Sequence, residues 1–206
     1  MMQEDNRMFS EMRKAAVQRL QGCNPQEICR NAQVDFDPQQ GFFLESLGRP
    51  VQVAYPDFAV EGARNPWHAL VILHYLEMAD GTPLSGRTIS FGELPQGMVR
   101  GGGFDRDSAR TLGRLLGERE PREVEAICGR LGAEPLRAKA DFSAVFRFLP
   151  RYPITLNLWF GDEEFPGSGR LLLDASAGHY LSVEDAVTAG AVLLEALREA
   201  AQQEAK

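Results

Sequence analysis

The clearest periodicity lies in the last third of the chain. Between residues 154 and 160, Ile154, Leu156, Leu158 and Phe160 alternate with Thr155, Asn157 and Trp159. Successive side chains of a strand point to opposite faces, so this pattern predicts a strand with one buried and one partly open side. Runs at 136–140, 142–149 and 170–174 predict neighbouring strands, and the short turns between them favour antiparallel pairing. Nearer the start, 34–37, 41–47 and 50–55 predict a smaller antiparallel meander, with Asp37-Pro38 as a turn and Pro56 as a stop.

Other stretches repeat at three and four residues. Met8, Met12, Ala15, Ala16 and Leu20 share one face and predict a helix over 4–21, with Gly22 as its stop. Asn24-Pro25 places a capping residue before a proline at the first helical position, opening a short helix to about residue 32. Two adjacent short helices with little positive charge read as a packing unit rather than a DNA-reading pair. Asn65-Pro66 repeats the same chemistry before 67–78, a segment apolar nearly all round, which predicts the buried central helix. Helices are expected over 105–117 and 121–132. Ser182 with Asp185, a variant capping box, opens a final helix along Val183, Val187, Gly190, Leu194 and Leu197. Residues 88–94 predict a short strand and 96–104 (QGMVRGGGF) a mobile glycine-rich flap. That flap has no Lys-Ser or Lys-Thr after its glycines, so it does not match a phosphate loop. Together these elements predict an α+β fold: an antiparallel sheet, made of a C-terminal meander plus small N-terminal strands, with packed helices. One domain spans 1–206, comprising a helical N-terminal segment 1–33, an α+β body 34–198 and a frayed polar tail 199–206.

Composition narrows the function classes. The formal net charge is −7, which disfavours a sequence-independent grip on nucleic acid or on an anionic membrane. Cys23, Cys29 and Cys128 have no metal-knuckle spacing and form no disulfide framework. The charged N-terminus has no apolar core and no segment is long enough to span a bilayer, so a cytoplasmic location is expected. His68 and His74 lie six residues apart on the central helix, about 240° around its axis, and cannot form a two-histidine metal pair.

The candidate chemistry sits after the best strand. Asp162, Glu163 and Glu164 follow it directly, and Phe165-Pro166-Gly167 turns the chain into a second strand ending at Asp174, with His179 five residues beyond. Three adjacent carboxylates repel, so they need solvent, a basic partner or a cation. Three uses stay open. Asp162 and Glu164 can converge on a divalent cation or serve as an acid–base pair. The turn, with Trp159 on the open sheet face, can form a ligand or partner surface. Or Asp162 can cap the turn through its side chain, over a tucked Phe165 and Pro166. If the two strands are a hairpin, Asp174 lies at the far end from Asp162.

ISFGELPQG, followed by FLPRYPITLNLWFGDEEFPGSGRLLLDASAGHYLSVEDAV, resembles the prokaryotic family catalogued as domain of unknown function 3786, with GDEEFP its most specific part. The resemblance runs from about Val34 to Leu197, and Gly92 stands where that pattern often has Arg. The resemblance implies a family common in anaerobes, some of whose relatives carry an added iron–sulfur segment, and so a link to redox or corrinoid metabolism. This chain has no such cysteine cluster, and the family supplies no assigned residues. The expectation is a non-catalytic accessory module that binds a small molecule or a protein, with no cofactor, or with a divalent cation at most. The rival is a metal-dependent enzyme using the 162–164 turn.

Overall fold

The computed structural model describes residues 2–204. The chain opens with α1 (Met2–Gln21) and α2 (Pro25–Ala32), then forms β1 (Asp35–Asp37), β2 (Gly41–Ser46), β3 (Arg49–Val53) and β4 (Val60–Glu61). The central helix α3 (Pro66–Met78) leads through a loop to β5 (Thr88–Ile89) and a single 3-10 turn (Phe91–Glu93). Two helices follow, α4 (Arg100–Leu116) and α5 (Pro121–Gly129). The C-terminal meander is β6 (Glu134–Pro135), β7 (Phe142–Leu149), β8 (Tyr152–Trp159) and β9 (Ser168–Asp174), and α6 (Val183–Glu204) ends the fold. Both expected caps form: Asn24 accepts from the Gln26 N–H and Asn65 from the His68 N–H.

The strands divide into two antiparallel sheets. β1 to β4 form one in sequence order, and the second runs β5-β9-β8-β7-β6. The α+β expectation therefore holds, with the small N-terminal strands forming a sheet of their own. The Leu47 N–H, in the β2–β3 turn, donates to the Arg147 carbonyl on β7 at 3.0 Å and joins the two sheets. All six helices contribute to one hydrophobic core on the inner sides of the sheets. Phe146, Phe148, Ile154, Leu156, Leu158, Leu171 and Leu173 enter it from the second sheet, and Phe42, Leu44, Val51 and Val53 from the first. Each such side chain contributes about 1.5–3 kcal/mol on burial. The alternate positions of the strands, Phe43, Glu45, Val145, Arg147, Thr155, Asn157, Trp159 and Arg170, form the outer faces.

Three expectations are corrected. The 96–104 flap is instead largely helix, because α4 starts at Arg100 and takes in all three consecutive glycines. Helix propensity argues against glycine there, but a Cβ at Gly101 would overlap the Phe91 carbonyl, so the close approach of α4 to the 3-10 turn selects it. Residues 136–140 are not a regular strand; pairing with β7 occurs at Glu134 and Pro135, one turn earlier. The frayed tail is helix through Glu204, because Ala200 and Ala201 are buried and Glu204 pairs with Arg130. Residues 205–206 of that tail lie outside the described range.

Candidate functional site

The structure scatters the residues singled out from the sequence. β8 and β9 form a hairpin in register Trp159↔Ser168 through Ile154↔Leu173, so Asp162 and Asp174 stand at opposite ends. At the turn, Asp162 Oδ1 accepts the Glu164 N–H at 2.9 Å and the Phe165 N–H at 2.7 Å, while the Asp162 N–H donates to the Phe165 carbonyl. The N–H groups of Phe165 and Glu164 hold this carboxyl below the ordinary aspartate range. Asp162 thus caps its own turn, and Glu163, Glu164 and Phe165 point to solvent. The turn also docks on α4: the Gly161 N–H donates to the Gly117 carbonyl at 2.8 Å, and Gly167 lies against Gly113 and Gly117 without room for a Cβ on any of the three. Trp159 is half-buried beside it on the outer face, with the Arg170 guanidinium 6.0 Å from its ring centre.

Asp174 and His179 come together at the other end, on one loop. Asp174 is buried and accepts from the N–H and hydroxyl of both Ser85 and Ser176, and from the Gly86 N–H, at 2.7–2.9 Å. Burial alone would raise its pKa, but these donors from Ser176 and Ser85 bring it down to about 2. His179 Nδ1 lies 2.7 Å from Asp80 Oδ2 and 3.1 Å from Thr82 Oγ1. The Thr82 carbonyl also accepts from Tyr180 and Arg151. The loop between α3 and β5 is therefore tied at both ends, and Leu84 stands out from its middle, 44% exposed.

Leu84 is one wall of an open cleft of about 740 Å3 lined by outward-facing residues of both sheets. The first sheet lines it with Asp35, Phe43, Glu45 and Pro50. The second lines it with Glu134, Val145, Arg147 and Pro153, and Pro150 and Gln33 close its ends. Sequence reasoning did not find this cleft. The one signal for it was parity: in β2, Phe43 shares the outward face with Glu45, so a large aromatic points away from the core. Arg147 pairs with Glu134 at 3.2 Å. Among the described residues, neither Asp35 nor Glu45 has a salt bridge.

His68 of α3 is 1% exposed and accepts the Arg64 N–H on Nδ1 at 3.1 Å. Its Nε2 therefore carries the proton and donates to Ser46 Oγ at 2.9 Å, and Ser46 donates on to the Phe148 carbonyl. Burial, with the Arg64 charge nearby, pushes His68 down to about 4. One neutral imidazole thus links α3, β2 and β7. His74 points elsewhere, to Asp185 at 2.7 Å, and Ser182 donates to the other oxygen of that carboxylate. The carboxylate, not the imidazole, is the middle member, so the group lacks the order of a Ser-His-Asp relay. Among the described residues, no three His, Cys, Asp or Glu side chains gather in a metal-binding group. Among the described residues, no helix is long and apolar enough to cross a membrane.

A family model described as domain of unknown function (DUF3786) matches residues 24–196, which covers every strand and both halves of the cleft. No curated protein and no solved structure matches the chain.

Proposed function

We propose that this chain, which belongs to the family of the domain of unknown function (DUF3786), is a non-catalytic binding module whose ligand sits in the cleft between its two sheets. One observation carries this reading: an open cleft between the two sheets is lined by Phe43, Leu44 and Val145 together with three carboxylates, Asp35, Glu45 and Glu134. Concave, mostly apolar surfaces with a few polar groups are where ligands gain binding energy. The acidic turn offers less. Its Asp162 carboxylate is committed to two backbone N–H groups, and its flanking glycines are committed to packing on α4. The placement of Asp174 and His179 also supports the cleft, since both hold the loop that carries Leu84. By its family resemblance, the module serves anaerobic redox or corrinoid metabolism in the cytoplasm.

Backbone amide NMR spectra of the intact protein, recorded with a set of small apolar amines, carboxylates and neutral alcohols, test the location. The expected shifts cluster on Phe43, Glu45, Val145 and Arg147. Shifts clustering on 162–165 would move the site to the acidic turn, and shifts scattered over the surface would remove the binding reading.

A further inference from the structure

We infer that the cleft receives an extended peptide segment of another protein that carries a lysine or arginine, whose cationic head is held over Phe43 by Asp35 and Glu45. The inference rests on the binding reading above and names the ligand class. Its geometry comes from the strand register. Asp35 on β1 stands directly opposite Phe43 on β2, and Glu45 follows two residues along β2 on the same face. Directly opposed side chains have Cβ atoms about 5 Å apart, and neighbours two residues along a strand stand about 7 Å apart. The ring is therefore flanked on two sides by carboxylates. An ammonium or guanidinium meets the negative face of an aromatic ring and two anionic oxygens at once, the chemistry that best offsets its desolvation.

Charge in the cleft decides the sign of the ligand. Its lining has three carboxylates, Asp35, Glu45 and Glu134, against one cation, Arg147. Arg147 is paired with Glu134, which leaves two carboxylates uncompensated. The chain as a whole carries −7, so its long-range field draws cations toward the molecule and turns anions away.

The shape decides for a segment over a small amine. Small-molecule sites bury about 70–90% of the ligand surface, whereas this cleft is walled by two sheet faces and open on its solvent side. An extended chain continues past the cleft and gathers contacts along its length, with apolar residues against Val145, Leu84 and the prolines. Pro50 and Pro153 lack N–H groups, so at those positions the walls offer side-chain contacts, not an added strand.

The test uses the full chain and dye-labelled peptides of sequence Pro-Leu-Lys-Pro-Leu-Lys, with norleucine or glutamate in place of lysine as controls, read by fluorescence anisotropy. The lysine peptide is expected to bind about tenfold more tightly than the norleucine peptide, and more tightly still than the glutamate peptide. Asp35→Asn with Glu45→Gln, two solvent-facing changes, is expected to erase that preference. A second variant, Phe43→Leu, keeps an apolar floor and is expected to lower lysine-peptide affinity about threefold or more through loss of the ring alone. Equal binding of lysine and norleucine peptides, or a lysine preference that survives the double variant, overturns the inference. Displacement by equimolar hexylamine also overturns it and makes the site one for small amines. Fragments that map to the cleft without any lysine preference would sink this inference and leave the binding reading standing.

Discussion

Replacing Gly113 with alanine destabilises the protein by about 1–3 kcal/mol, the ordinary cost of forcing extra volume into a packed contact. The same substitution ten residues earlier, at Gly103, stabilises it by up to about 1 kcal/mol. Both glycines lie in α4, so both gain helix propensity from alanine. They differ in what a methyl group meets. At Gly113 a Cβ overlaps the carbonyl oxygen of Gly167, whereas at Gly103 nothing lies within 4 Å. The neighbour at Gly113 is backbone, held further by the Gly161 to Gly117 hydrogen bond, and it cannot rotate away as a side chain would. Chemical denaturation of the two variants measures the pair directly. Stabilisation at both positions would mean that the GDEEFPG hairpin does not dock on α4. The contact gives the motif a structural purpose: its glycines are spaced for close packing and its single aspartate, Asp162, caps the turn.

Acidification weakens the fold through His68 by on the order of 3 kcal/mol between pH 6.5 and pH 4, taking about 1.4 kcal/mol for each tenfold change in proton affinity. The ring is held near 4 in the fold against 6.5 in the open chain, because burial and the Arg64 charge disfavour its cation. Between those values the unfolded chain binds the proton that the folded chain refuses, so stability falls as pH falls. It is fully present above about 6.5 and exhausted near 4. Protonation at Nδ1 would also set two donors face to face, since that nitrogen already accepts from Arg64. The carboxylates of Asp80 and Asp174, both lowered to about 2, act in a separate window below the ordinary aspartate range. Urea midpoints across pH 4–7 for the native chain and for His68→Gln test this, and the variant should show a much flatter slope through that interval. An unchanged slope would place the acid sensitivity elsewhere.

Local periodicity carried much of the architecture. The all-round apolar stretch of α3, the alternation in β8 and the capping residues Asn24, Asn65 and Ser182 act within a few residues of themselves, so they were legible along the chain. The turn cap at Asp162 was legible for the same reason. The start of α4 was not, because Gly101 is selected by the Phe91 carbonyl, about ten residues away and on another element. Nor was the junction of the two sheets, where the β2–β3 turn meets β7 about 100 residues later. The cleft is the extreme case. Asp35, Phe43, Leu84, Glu134 and Val145 come from separate segments, and only the tertiary fold brings them to one place. Asp174 and His179 read along the chain as titratable groups near the hairpin, but their hold on the α3–β5 loop, through three hydrogen bonds to Asp174 and two contacts of His179, follows from the fold.

Binding in the cleft is tested most directly by comparing the two acidic features in one assay. The amine fragments that shift the cleft amides are titrated against Asp162→Asn with Glu164→Gln, and against Phe43→Ala. The turn variant should keep its affinity within about twofold, and the cleft variant should lose about tenfold or more. The opposite order, with binding lost at the turn and kept at Phe43, would contradict it.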